Sequence, residues 1–267
     1  LQRLQTLVRT NTYDPATGKS TSLFTYMLRY LAEGYTTNLQ DVLCIGVGVG
    51  IAPKELVRNG VKVDAIEINP DVIPLAEKFF DFDPSQVNLQ IQDGRYFINR
   101  TEKKYDAILL DAFLGDSSPS HLMTREAFEQ MKRTLRPDGV LVINSFGDLG
   151  AGKDFFVASL HKTLSSVFAS VRVHGLVDGP GSGNIFFAAS ARPDLKLGAV
   201  NTSDVHPEVA SEVRASLAQT LSINPKSGQI LTDDFNPVEF HDSANREEHR
   251  RRLAFSIRRL QEQTGPR

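Results

Sequence analysis

Short, nearly uniform apolar runs alternate along residues 23–191 with longer stretches whose apolar positions recur every three or four residues. Val42–Ile45, Val61–Ile66, Val87–Ile91, Tyr105–Leu110 and Val140–Asn144 have the length and composition expected of strands buried on both faces. Val171–His174 and Ile185–Ala189 read as two more, with Gly179, Gly181 and Gly183 marking a hairpin loop between them. The intervening segments predict helices over Leu23–Leu31, with Ser20 or Ser22 as cap, and over Ala52–Val57, with Pro53 tolerated in the first turn. Further helices are predicted over Asn69–Phe80, Arg95–Thr101, His121–Leu135 and Lys153–Phe168, and Arg136-Pro137-Asp138-Gly139 reads as a turn. Strands alternating with helices imply an α/β protein: a doubly wound, mostly parallel seven-stranded sheet whose last hairpin adds an antiparallel strand.

The pattern changes at both ends. Residues 1–22 read as an N-terminal remnant or hairpin, with modest alternation up to residue 13 and turn chemistry from Asp14-Pro15 to Gly18. Gly18-Lys19-Ser20 has the tail of a phosphate loop without its earlier glycine or a preceding buried strand, so it is read as turn. After the domain at 23–191, residues 192–267 form a C-terminal extension expected to pack on the same domain. It carries a helix over Pro207–Leu221, an extended acidic loop over Ile230–Phe240, and an arginine-rich helix over Ala244–Gln263 with Leu253, Ile257 and Leu260 on one face.

Composition narrows the classes. The net charge is −2 and the arginine-rich helix has no interleaved aromatics to stack bases, so no nucleic-acid partner is expected. A single cysteine, Cys44, falls inside a strand; a disulfide framework or cysteine zinc site is excluded and no metal is expected. No apolar run approaches the roughly 20 residues that span a bilayer. A cytoplasmic location is expected, or tethering to a membrane within a longer parent protein, since the chain opens on Leu1.

The chemistry gathers at strand ends. Val42–Ile45 is followed by Gly46, Gly48 and Gly50, then by a helix start, a second strand and Glu67. Glycines allow a tight turn and close approach of a ligand, and a helix N-terminus offers free N–H groups. An acid at the second strand's tip suits ribose hydroxyls. A ligand-free βα turn would carry the same glycines, so the acid matters. The dinucleotide fingerprint needs a glycine at 51, where the chain has Ile51. The G-x-G-x-G here resembles the first motif of the S-adenosylmethionine-dependent methyltransferase fold, a class I Rossmann-like sheet. On that reading the glycine turn lies under the ligand's amino-acid or sulfonium portion and Glu67 takes the ribose. Asp93 accepts from the adenine amino group, with Gly94 allowing close approach, and Asp111 lies beside the sulfonium-bonded carbon. A carboxylate there can hold a cationic amine and take its proton, help worth about 10² to 10⁴ in rate. The less favoured alternatives are that Asp93-Gly94 is a common turn dipeptide and that Asp111 caps the following turn.

LCIGVGVGIAPKEL, VDAIEINPDVIPLAEKFF, QDGRYF, KYDAILLDAF and LMTREAFEQMKRTLRPDGVLVIN resemble successive motifs of the spermidine synthase (polyamine aminopropyltransferase) family, over about Phe24–Asn144. DAFLGDSSPSHL and LTDDFNPVE resemble its divergent branch, often fused to membrane-spanning segments. The resemblance implies decarboxylated S-adenosylmethionine as cofactor, methylthioadenosine as product, a small-molecule amine substrate and a possible homodimer. It implies Asp111 as base and Tyr26 facing the amine, and a carboxylate-lined pocket of Asp111, Asp116, Asp233 and Asp234 would favour a polyamine. Three positions depart from the family: Val49 stands for an aspartate of the glycine loop, Leu114 for a second loop acid, and Met27 for a polar residue. Val49 favours a second reading, methyl transfer from intact S-adenosylmethionine with S-adenosylhomocysteine as product. A third is a non-catalytic nucleoside- or polyamine-binding domain.

Overall fold

The computed structural model describes residues 13–112, 119–176, 182–238 and 240. A two-residue hairpin, β1 (Tyr13–Asp14) and β2 (Lys19–Ser20), opens it, as the turn chemistry predicts. Then follow α1 (Leu23–Tyr35), β3 (Asp41–Ile45), α2 (Ile51–Arg58), β4 (Lys62–Glu67), α3 (Val72–Phe80), β5 (Asn88–Ile91), α4 (Gly94–Arg100) and β6 (Tyr105–Leu110). The chain continues with α5 (Arg125–Thr134), β7 (Leu135–Asp148), α6 (Phe155–Val167), β8 (Ser170–Gly175), β9 (Ser182–Ser190) and α7 (Ala210–Ala218). β3 to β9 form one seven-stranded sheet in the order β5-β4-β3-β6-β7-β9-β8. β3 to β7 run parallel, and β9 is antiparallel to both β7 and β8.

Apolar residues on both pleat faces put this sheet between two cores. Val42 and Cys44 of β3 join the core under α1, while Leu43 and Ile45 join the opposite core with α5 and α6 residues such as Phe128 and Leu160. The extension completes the first core: Leu195, Val205, Val209, Val213 and Leu217 pack into it. Asp204 accepts from Tyr30 and pairs with Arg29. At the far edge Leu221 N donates to the Val173 carbonyl of β8 at 2.8 Å.

Three elements differ from the sequence reading. The expected turn at 136–139 lies inside β7: Tyr105 pairs with Leu135 and Ala107 with Val140, so β7 bulges outward between those contacts. Arg136 pins the bulge by pairing with Asp41 at 2.9 Å and Asp106 at 2.8 Å. The expected helix from His121 begins as a 3₁₀ turn over Ser120–Leu122, and α5 starts only after Thr124, whose hydroxyl accepts from Ala127 N. The helix expected over 207–221 shortens to α7. The expected helix over 244–263 lies outside the described residues. No described helix is long and apolar enough to cross a membrane.

Candidate active site

The sheet order reverses between β3 and β6, and ligands of open α/β sheets bind beyond the carboxyl ends at such a point. The two strand ends close on each other there. Gly46 N donates to the Ile66 carbonyl at 2.8 Å, and Asp111 N to the Ile45 carbonyl at 3.0 Å. Gly46 has φ +90°, and a Cβ on it would sit 2.3 Å from the Asp111 carbonyl oxygen, so only glycine lets β3, β4 and β6 converge. Gly50, the residue before α2, serves packing: a Cβ there would meet the Phe82 ring at 2.4 Å. Gly48 differs from both. It is exposed, at φ +53°, and a Cβ would meet nothing within 4 Å. Of the three glycines it alone offers bare backbone to open space.

The acids are arrayed around this loop. Glu67 is buried and bridges two loops, accepting from Val47 N through Oε2 and from Asn69 N through Oε1, both at 2.9 Å. Asp93 caps α4, its Oδ1 accepting from Tyr96 N at 2.8 Å, while Oδ2 meets His121 Nε2 at 3.0 Å. The absent side chain of Gly94 is used by the protein: a Cβ would lie 2.5 Å from Ile45 Cγ2, so the glycine seats α4 on β3. Asp111 follows β6 directly. Its Oδ1 accepts from Asn144 Nδ2 at 2.8 Å, and Asn144 Oδ1 accepts from Asn184 Nδ2 at 3.1 Å. Burial pushes the Asp111 carboxyl up to about 6, against the opposing pull of the Asn144 amide. Such a carboxyl is ionised at neutral pH yet much more basic than a solvated one, which suits a proton acceptor.

The structure therefore brings Gly46, Gly48, Glu67, Asp93 and Asp111 around one end of the sheet. Ile45 links them, paired with Ile66, bonded to Asp111 N and packed on Gly94. Tyr26 offers no free hydroxyl. Its hydroxyl is buried, donating to the Ser20 carbonyl at 2.8 Å and accepting from His206 N at 3.1 Å, and ties the hairpin to the extension. Asp233 is no free anion either. Arg95 grips both its oxygens, at 3.3 and 2.8 Å, and Thr124 Oγ1 donates at 2.6 Å. Burial pushes the Asp233 carboxyl up, but Thr124 and Arg95 outweigh it and leave it below the usual range. Asp234 is exposed beside it, and Asp116 lies outside the described residues. Among the described residues no three His, Cys, Asp or Glu side chains cluster to hold a metal. Cys44 is an enclosed core thiol pushed up by burial, as expected of an inert one.

Sequence reasoning misses Asn144, Asn184, Arg95 and His121. Asn144 is within its reach, because it closes an apolar run of the sequence as Asp111 does, although β7 continues past it. Nothing in the spacing announces the other three.

Fold and strand-end acids together define a methyltransferase-like α/β protein whose candidate site lies where the sheet order reverses. The chain belongs to the spermine/spermidine synthase family, whose spermine/spermidine synthase domain matches residues 22–177. It is 42% identical over 113 residues to a polyamine aminopropyltransferase of Vibrio vulnificus, covering 40% of this chain and 38% of that one. It is 32% identical over 126 residues to putrescine N-methyltransferase 2 of Nicotiana tabacum, covering 44% and 36%. The match thus spans well under half of either relative's length. Among solved structures, a spermidine synthase in complex with the transition-state analogue AdoDATO superposes with a TM-score of 0.55 at 22% identity, over 78% of this chain and 73% of that chain.

Proposed function

We propose that the protein is an aminopropyltransferase that moves an aminopropyl group from decarboxylated S-adenosylmethionine to a small polyamine such as putrescine. The observation that carries this reading is the placement of Asp111, held by Asn144 at 2.8 Å beside the open glycine loop, where burial pushes its carboxyl up. The residues present fit an adenosyl-sulfur ligand. Gly48 leaves backbone uncovered, Glu67 lies across the loop from it for the ribose, and Asp93 stands one strand further out for the adenine amino group. In the reaction the amine nitrogen forms a bond to the methylene carbon next to sulfur. The carbon–sulfur bond breaks, its electrons stay on sulfur as the thioether of methylthioadenosine, and Asp111 takes the amine proton. A protonated amine has no lone pair, so the proton must leave before or during attack.

A second reading rests on one position. Val49, where the resemblance expects an aspartate, packs against the small cluster of Tyr13, Ile51 and Phe80 and offers no charge to an aminopropyl ammonium. Intact S-adenosylmethionine, with its carboxylate, suits that loop, and a putrescine methyltransferase is among the relatives. Turnover of putrescine with each cofactor separates the two. The aminopropyl reading expects spermidine from the decarboxylated cofactor and a rate that falls below about pH 6 as Asp111 protonates. It expects a loss of about 10² to 10⁴ in kcat for Asp111→Asn. N-methylputrescine from intact S-adenosylmethionine, with no spermidine from the other, would replace it by the second reading.

A further inference from the structure

Two side-chain amides stand in series behind Asp111. Asn144 donates to Asp111 at 2.8 Å, and Asn184 donates to Asn144 at 3.1 Å. The three residues come from the neighbouring strand regions β6, β7 and β9. Asn144 pairs with Phe186 and Asn184 with Phe146, so the two asparagines are diagonal neighbours on one sheet face.

The direction of this chain follows from the charge at its head. An ionised carboxylate only accepts hydrogen bonds, whereas a carboxamide donates from one end and accepts at the other. Charged Asp111 therefore requires the Asn144 NH₂ to face it. That leaves Asn144 Oδ1 facing Asn184, which must in turn offer its own NH₂. A protonated Asp111 supports the reverse polarity: its O–H donates to Asn144 Oδ1, and Asn144 Nδ2 donates to Asn184 Oδ1. The two polarities need only end-for-end turns of two amides, with the same volumes packed.

We infer that Asn184 is a positioning residue: by donating to Asn144 Oδ1 it holds the Asn144 amide in the orientation that favours the charged, proton-accepting form of Asp111. The functional meaning of that orientation rests on the reading of Asp111 as the base. Among the described residues, burial and the Asn144 amide are the influences on Asp111. Asn144 on β7 and Asn184 on β9 are neutral. On β3 the titratable neighbour is Cys44, whose burial keeps its thiol protonated. Gly46 in the loop contributes backbone only.

The test is a ¹³C-carboxyl NMR titration of Asp111 in the full chain, the resonance being identified by its loss in Asp111→Asn. Asn184→Asp places an acceptor-only group against Asn144, draws its NH₂ away and turns its oxygen towards Asp111. The midpoint, expected near 6 in the unaltered protein, then rises to about 7 or above. In an Asn144→Leu background the same Asn184→Asp change moves the midpoint little, because the amide that transmits it is gone. Asn184→Ala, which lacks the donor and adds no charge, raises the midpoint by less and serves if the aspartate variant does not fold. An unmoved midpoint in Asn184→Ala and Asn184→Asp overturns the inference. So does an equal rise with and without Asn144, which would be through-space charge alone. No substrate is needed, so a moved midpoint in a protein that makes no spermidine would sink the aminopropyl reading and leave the amide relay standing.

Discussion

Replacing Gly46 and Gly48 by alanine, one at a time, separates what the glycine loop does for the fold from what it does for a ligand. Gly46 sits at φ +90°, and a left-handed backbone costs an L-residue about 1–2 kcal/mol. Its new Cβ would lie 2.3 Å from the Asp111 carbonyl oxygen and 2.8 Å from the carbonyl carbon, both backbone atoms that cannot swing aside. The ends of β3 and β6 must part, which weakens the Gly46–Ile66 and Asp111–Ile45 hydrogen bonds. At about 1 kcal/mol net for each bond, the total for Gly46→Ala is about 3–4 kcal/mol. Gly48 has φ +53°, and an added methyl would meet no atom within 4 Å, so Gly48→Ala costs only the backbone component, about 1 kcal/mol. Urea unfolding of the two variants measures the difference directly. Isothermal titration with methylthioadenosine then reads the other half: the stable Gly48→Ala protein should bind at least about tenfold more weakly, since a misfit of about 1.4 kcal/mol suffices. Equal destabilisation by both changes would refute the packing argument. Undiminished methylthioadenosine affinity in Gly48→Ala would refute the assignment of the open loop to the ligand.

Two further outcomes follow from contacts outside the loop. Arg95 joins α4 to the 231–236 segment through Asp233, and to the 120–122 turn through the His121 carbonyl, which accepts at 2.8 Å. Arg95→Leu should loosen that segment, with a cost near 1 kcal/mol because Asp233 is half exposed and screened; hydrogen exchange should quicken at Arg125 N, which donates to the Leu231 carbonyl, and unchanged protection there would contradict the role. His174 is buried between Tyr35 and the Ser216 carbonyl, and burial holds its imidazole below the usual 6.5. Because the unfolded chain takes up this proton at a higher pH than the folded one, stability should be full above about 6.5 and fall as the pH drops through and below it. In His174→Gln that acid-side slope should flatten in urea midpoints measured against pH.

Strand ends are the legible part of the chain. Apolar runs identify buried strands without tertiary information, and an acid or glycine at the end of such a run is placed by the sheet itself. Glu67, Asp93 and Asp111 are found in that way. What escapes depends on partners distant in sequence. Asp233 reads as a free carboxylate until Arg95, 138 residues away, is seen to clasp it. Tyr26 occupies a family-like position, yet its hydroxyl is engaged by Ser20 and by His206, 180 residues away. The Asp41–Arg136–Asp106 pairing likewise converts an Arg-Pro-Asp-Gly turn into a bulge inside β7. Gly94 reads as a ligand contact because its packing against Ile45 is not a local property.

The proposed chemistry depends most on four strand ends sharing one adenosyl-sulfur ligand. Titration of ¹⁵N-labelled protein with methylthioadenosine tests this directly, through the backbone amides of Gly48, Glu67, Asp93 and Asp111. All four should shift and fit a single dissociation constant. Shifts at one strand end alone, or different constants at different ends, would contradict it.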